Sequence, residues 1–236
     1  MASRGHTSGE TRLPGWPDLA IRLRPSRQAR RMTLRVSRID GRVSLSYPAA
    51  LGRAAALAFA QERAEWLRGA LAGLPARQTV EPGVRLPVAG APLLLVAGAA
   101  RRVRRDGACL HVPAGSAAGP AVAAFLKAEA RRWLTAACAR HARSLDLRHG
   151  PISLRDTRSR WGSCSASGRL SFSWRLAMAP PEVLDYVAAH EVAHLVEMNH
   201  SAAFWAVLAR LCPDHAAPRR WLRQQGGGLH AWCFGN

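Results

Sequence analysis

Two histidines four residues apart, His190 and His194, with a third six residues later, His200, constrain this chain more than any other feature. On a helix, residues four apart share a face. His190 and His194 therefore project together, and two imidazoles so placed can grip one metal ion. Glu191 stands about 100° round the helix from His190, within reach of a water on the metal but not placed to ligate it. A third ligand is needed, with the fourth position left open. His200 is the best candidate. If the helix simply continued, His200 would lie about 240° beyond His194 and face away. The chain must turn between Leu195 and Asn199. Asn199 tolerates the left-handed backbone that such a turn often needs. Ser201 is placed to cap a new helix. That helix would bury Phe204, Trp205, Leu208 and Leu211 and end before Pro213.

The order His-Glu-x-x-His is the arrangement of zinc hydrolases, in which the metal lowers the pKa of water and the glutamate takes the proton. Zinc is the expected cofactor, and another divalent transition metal such as nickel, cobalt or iron suits the same ligands. The spacing of the three histidines matches that of metzincins. Glu197 stands where those enzymes carry glycine, so the turn must differ from theirs.

The rest of the chain reads as α+β. Residues 1–18 look like a flexible lead. From Leu19 to Tyr47 apolar residues alternate with polar ones, and Asp40-Gly41 is a hairpin signal, which predicts two or three antiparallel strands. Leu51 to Leu74 is helical, with Leu57, Phe59, Trp66, Leu67 and Leu71 among its apolar positions. Short strands follow between Gly83 and Val112. Pro120 to Leu147 is a long amphipathic helix. Gly150-Pro151 marks a soft boundary. This divides the chain into a β-rich and helical N-terminal part, residues 19–147, and a catalytic part, residues 148–224. The tail 225–236, with Gly226-Gly-Gly, reads as frayed.

The net charge is +19, from 34 basic and 15 acidic residues, and Lys127 is the only lysine. Eight arginines fall between Arg22 and Arg42, opposed by Asp40 alone, so one face of the first sheet is expected to be basic. Such a field attracts nucleic acid, an anionic membrane or phosphorylated ligands. A chain rich in Arg, Ala and Gly and poor in Lys also fits a GC-biased genome. Five cysteines at wide spacings, none in a CxxC pair, argue against a disulfide framework and fit a reducing cytoplasm. The apolar run from Val84 to Ala100 is too short and too interrupted to span a bilayer, so no membrane association is expected.

Several longer segments carry a family resemblance. They are Ser159-Arg-Trp-Gly-Ser-Cys-Ser, Leu170 to Leu176, Asp185-Tyr-Val-Ala-Ala-His-Glu-Val-Ala-His-Leu, and Asn199-His-Ser-Ala-Ala-Phe-Trp. Together they resemble the YgjP-like metallopeptidase family, related to the SprT-like and WLM zincins. The resemblance is close over about 150–224 and looser over 19–147. Ser159 stands where the family suggests threonine. The resemblance implies a zincin-like domain, a small antiparallel sheet packed on the active-site helix. It also implies metal ligation by His190, His194 and His200, with Glu191 catalytic.

Around this centre, Arg160 and Ser163 are candidates for substrate binding. Arg160 can hold a carboxylate or phosphate, or stabilise an oxyanion. A lone Cys164 reads as a small buried residue rather than a ligand. Tyr186 is expected to pack under the site, and Asp185 to orient another group. The leading expectation is a zinc metallopeptidase that cleaves peptide bonds by zinc-activated water with Glu191 as general base, acting on a peptide or protein. The alternatives are a metal-dependent nucleotide phosphoanhydride hydrolase, disfavoured by the lack of a phosphate-cradling Gly-rich loop, and a nucleic-acid-associated binding protein that carries a zincin site.

Overall fold

Alternating apolar residues build the first sheet. The computed structural model describes residues 10–37, 41–99, 101–114 and 117–235. These form two units, one ending at Ala76 and one beginning at Arg77. In the first, strands β1 (Glu10–Leu13), β2 (Trp16–Ser26), β3 (Thr33–Val36) and β4 (Val43–Pro48) make one sheet in the order β1-β2-β4-β3. Leu19, Ile21, Leu23, Val43, Leu45 and Tyr47 line its inner face. Against them lie Ala56 and Ala60 of α1 (Gly52–Gln61) and Ala64 and Leu67 of α2 (Ala64–Ala72).

Three expectations change here. Residues 10–18 are not a loose lead. They form β1 and the start of β2, with Leu13 buried and Gly15 turning between the strands at φ 77°. Residues 1–9 lie outside the described residues. The sheet is not wholly antiparallel: β4 returns from the hairpin to lie between β3 and β2, and so runs parallel to β2, with Ile21 opposite Val43. Of the hairpin signal, Asp40 lies outside the described residues. Gly41 has φ 69°, a backbone that favours glycine. The expected single helix over 51–74 is two. Arg63, at φ −112° and ψ 14°, leaves helical geometry between them. The break turns Trp66 outward at 55% exposure and Leu67 inward.

The second unit begins with β5 (Gln78–Thr79) and a four-stranded sheet of β6 (Arg85–Val88), β7 (Ala91–Gly98), β8 (Arg104–Asp106) and β9 (Cys109–Pro113), in the order β6-β7-β9-β8. The long helix α3 (Ala118–Arg143) follows. Next come β10 (Ile152–Arg155), β11 (Gly162–Cys164) and β12 (Leu170–Ser173), in the order β10-β12-β11. A 3-10 turn over Trp174–Met178 leads into α4 (Pro181–Ala193), α5 (Ala202–Leu211), α6 (Ala216–Leu229) and β13 (Trp232–Cys233). Among the described residues no helix is long and apolar enough to cross a membrane.

The boundary expected near 148–151 falls inside this unit. Leu126, Ala130, Leu134 and Cys138 of α3 share one core with Leu184, Val187, Ala188 and Val192 of α4. The helix expected to belong to the N-terminal part is thus a wall of the catalytic unit. The tail expected to fray is also held. β13 pairs with β5, Trp232 opposite Gln78, and Phe234 is buried. Arg175, itself buried, donates to the carbonyls of Leu229 at 2.9 Å and Trp232 at 3.0 Å, and pairs with Asp156 at 2.7 Å. At Gly119 a Cβ would fall 2.3 Å from the Phe234 carbonyl oxygen, so the start of α3 needs glycine for the tail to lie there.

Candidate metal centre

Helix α4 starts at Pro181, where the missing N–H costs nothing, with Glu182 in the first turn beside the positive end of the helix dipole. Ala188, Ala189 and Ala193 are fully buried, and their small side chains let the neighbouring elements pack close. His190 and His194 lie one turn apart on the same helix face, as expected from their spacing. The helix ends at His194. The N–H groups of Val196 and Glu197 both bond to the Ala193 carbonyl, which tightens the exit turn. His194 Nδ1 donates to the Glu197 carbonyl at 2.9 Å, leaving Nε2 as its ligand atom. So the backbone of Glu197, at the position where metzincins have glycine, orients a histidine.

The turn works differently from expectation at Asn199. Its backbone is not left-handed. Instead Asn199 Oδ1 accepts the Ser201 N–H at 2.9 Å, a side chain closing the turn in place of backbone strain. Ser201 caps α5, its Oγ accepting the Phe204 N–H at 3.4 Å. The chain thereby reverses and brings His200 back. The ligand atoms of His190, His194 and His200 lie within 4.8 Å of one another, and the Nε2 atoms of His190 and His200 are 3.1 Å apart. Phe204 forms the floor, its ring 4.6 to 4.9 Å from all three imidazoles.

The donor set fits a divalent transition metal. Burial, then the neighbouring His194 and His200, push the pKa of His190 down to about 4, and burial lowers that of His194. His190 Nδ1 is buried without a partner among the described residues, which further disfavours the doubly protonated ring. Neutral imidazoles are the form that ligates. Two nitrogen lone pairs 3.1 Å apart repel unless a proton or a cation lies between them.

Glu191 is buried at 5% exposure and points toward β11. Burial raises its pKa to about 8, and Arg160 opposes that rise. Beside it opens a cavity of about 390 Å3 lined by the three histidines, Glu191, Tyr186, Met198, Leu222 and residues 160–164. Both Arg160 and Ser163, singled out from the sequence, line it. Cys164 lines it too but stands outside the histidine cluster. Strand β11 is the edge of its sheet, paired only with β12 among the described residues. Tyr186 sits under His190, ring to ring at 5.9 Å. Asp185 does not reach the histidines of the site. It accepts from His141 Nε2 at 2.9 Å and pairs with Arg140, both on α3. Burial opposes its ionisation, but these two partners hold its pKa below the ordinary value.

The sequence reading missed α6. Leu222 lines the cavity, and Gly226 lies against the Trp161 ring. Pro218, Leu222 and Leu229 fall on one helical stripe and could have revealed the helix, but three glycines in a row read as a tail.

Residues 30–225 match the sequence model of the YgjP-like metallopeptidase domain, a span that holds all three histidines, Glu191 and the 160–164 loop. The chain belongs to the YgjP-like metallopeptidase family. As a YgjP-like protein it is a metal-dependent peptidase at the level of the family. No curated protein matches the chain. A solved structure that resembles part of it is the metallopeptidase zymogen of Pyrococcus abyssi abylysin, with 18% identity and a TM-score of 0.35, over 39% of this chain and 95% of that one. Family membership rests on the sequence match alone.

Gly162 gives this YgjP-like site a sharp test. Its backbone is ordinary strand, so no special φ requires glycine. A Cβ there would fall 2.5 Å from Glu191 Oε1 and 2.6 Å from Cγ. Gly162→Ala is expected to displace the carboxylate and lower kcat about 10²-fold, with metal content unchanged. Steady-state kinetics beside metal analysis checks both, and an active alanine variant would show that the carboxylate position is not critical.

Proposed function

We propose that the protein is a zinc metallopeptidase in which His190, His194 and His200 hold the metal and Glu191 is the general base. The observation that carries this reading is a buried, basic carboxylate set between a three-histidine cluster and an open sheet edge. When bound there, a divalent metal would polarise the scissile carbonyl and acidify water. Glu191 takes the proton from the attacking water and passes it to the leaving amine nitrogen. Its raised pKa suits it to hold that proton between the two events. The free edge of β11 offers main-chain donors and acceptors to an extended peptide. Arg160, which lines the cavity, meets a substrate carboxylate or the charge developing on the carbonyl oxygen, and Ser163 contributes a hydroxyl. The five free cysteines suit a reducing cytoplasm.

The test is direct. The purified chain, loaded with zinc, is expected to cleave an unstructured polypeptide. Cleavage stops with a chelator and returns on adding zinc. Phosphate release from nucleoside triphosphates, with the polypeptide left whole, would overturn this assignment in favour of a phosphoanhydride hydrolase.

A further inference from the structure

The first unit carries a surface that the peptidase site does not use. On β2, the residues that alternate with Leu19, Ile21 and Leu23 point away from α1 and α2. Arg22 and Arg24 are among them, and both are exposed. On β3, Arg35 is exposed on the same outer face. The register aligns them. Arg22 and Arg35 flank Ser44 of β4 in one row across the sheet, and Arg24 and Thr33 flank Ser46 in the next. Two strand spacings separate Arg22 from Arg35 by about 9.5 Å, and two residues along the strand separate Arg22 from Arg24 by about 6.6 Å. Arg27, Arg30 and Arg31 are exposed on the loop that joins β2 to β3.

The charge on this face is nearly uncompensated. None of these six arginines has an ion pair with a described residue. Two acids lie on the outer side of the strands. Asp18 is bound by Arg68 of α2 at 3.2 Å, and Glu10 of β1 stands opposite Arg22. Between the arginines the side chains are short: Ala20, Thr33, Ser44 and Ser46. The face is therefore flat, cationic and furnished with hydroxyls.

We infer that this outer face of β2, β4 and β3 docks the phosphate backbone of duplex nucleic acid without reading its sequence. Rows of guanidinium groups and hydroxyls on a flat sheet match a line of phosphates. An anionic membrane fits less well, because among the described residues the large exposed apolar side chains are Leu51, Trp66, Val196 and Met198, and none lies on this face. Stacking of single-stranded bases fits less well too. The face carries no free aromatic ring, since Trp16, at the start of β2, packs on the core under the Arg68 guanidinium. The inference does not depend on the peptidase assignment.

The experiment uses the full chain and a fluorescein-labelled DNA duplex of random sequence, with anisotropy read over a series of potassium chloride concentrations. Native protein is expected to bind with a steep salt dependence. Replacing Arg22, Arg24 and Arg35 together by Gln is expected to weaken binding and reduce the slope of log K against log salt by about 3, one per lost phosphate contact. Replacing Arg143, Arg210 and Arg220 of the second unit by Gln removes the same charge and is expected to leave the slope unchanged. Replacing the three sheet arginines by Lys keeps charge on the same strands and is expected to retain binding, which separates loss of charge from loss of the strands. Equal losses in the two Gln variants, salt-insensitive binding by the native chain, or preference for phosphatidylserine vesicles over duplex would each overturn the inference.

Discussion

Glu191→Gln is expected to keep its metal at the native level and to lose peptide-bond turnover about 10²- to 10⁴-fold, the usual contribution of a positioned general base. Metal analysis and cleavage of an unstructured polypeptide, done on one preparation, check both halves. The amide is nearly the shape of the carboxylate, so the packing against Gly162 survives. It cannot accept the proton, so turnover falls. Folding should not suffer, because a buried carboxylate with its pKa raised to about 8 by desolvation gains nothing from its charge in the native state. The sign follows from linkage. A raised carboxyl pKa means that the folded state favours the protonated form. Between the ordinary carboxyl range and pH 8, the ionisation of Glu191 works against folding, and a neutral amide removes that cost. Native-like turnover in the glutamine variant, with metal retained, would remove Glu191 from its assigned role.

Gly162→Ala and Glu191→Gln probe one carboxylate from two sides. The first moves it and the second disarms it. If both variants keep metal and lose turnover, the loss belongs to the carboxylate rather than to the histidine cluster. Loss of metal in Gly162→Ala alone would instead mean that the strand and the helix shift together.

What the sequence made legible was local. The i, i+4 histidines, the forced turn, the Ser201 cap and the hairpin before Val43 each follow from a few adjacent residues, and each is present in the structure. What it hid was tertiary. Nothing local tells that β4 inserts beside β2, because the hairpin rule fixes only its pairing with β3. Nothing local tells that Arg175 clasps the tail through the carbonyls of Leu229 and Trp232, residues more than fifty positions away. The glycine run in α6 made that clasped segment look loose. Long-range burial overrode local propensity there, since the helix has Leu222 and Leu229 to pack and Trp161 to cover. At Asn199 the residue type was right for a turn, but a side-chain acceptor closes it where a left-handed backbone was expected. In the site, the histidines and Glu191 were visible because their spacing is a geometric statement. Leu222 and Met198 were not, because an apolar residue in a cavity wall looks like any other.

His194→Ala is expected to abolish tight metal binding, lowering affinity by more than the 10- to 100-fold typical of losing a mere supporting hydrogen bond to a ligand. Its Nδ1 is already committed to the Glu197 carbonyl, so the ring is held with one nitrogen free to ligate, and among the described residues the cluster holds only the two other histidines. Cys164 lines the cavity but lies outside the histidine cluster, so it is not placed to replace the lost ring. The readout is thermal unfolding with and without zinc. Metal that binds only the folded chain stabilises it by about 2.7 kcal/mol at a concentration a hundred times its Kd, and this shift should vanish in the variant. His194→Ala also removes a ring stacked on Phe204 at 4.6 Å, so the metal-free variant should itself melt earlier. His200→Ala separates the two effects. His200 is exposed, so its loss leaves no buried cavity. It is expected to lose the zinc-induced shift while melting, without metal, close to the native chain. If His200→Ala keeps the full zinc-induced shift, His200 is not the third ligand, and the turn that brings it back serves only to launch α5.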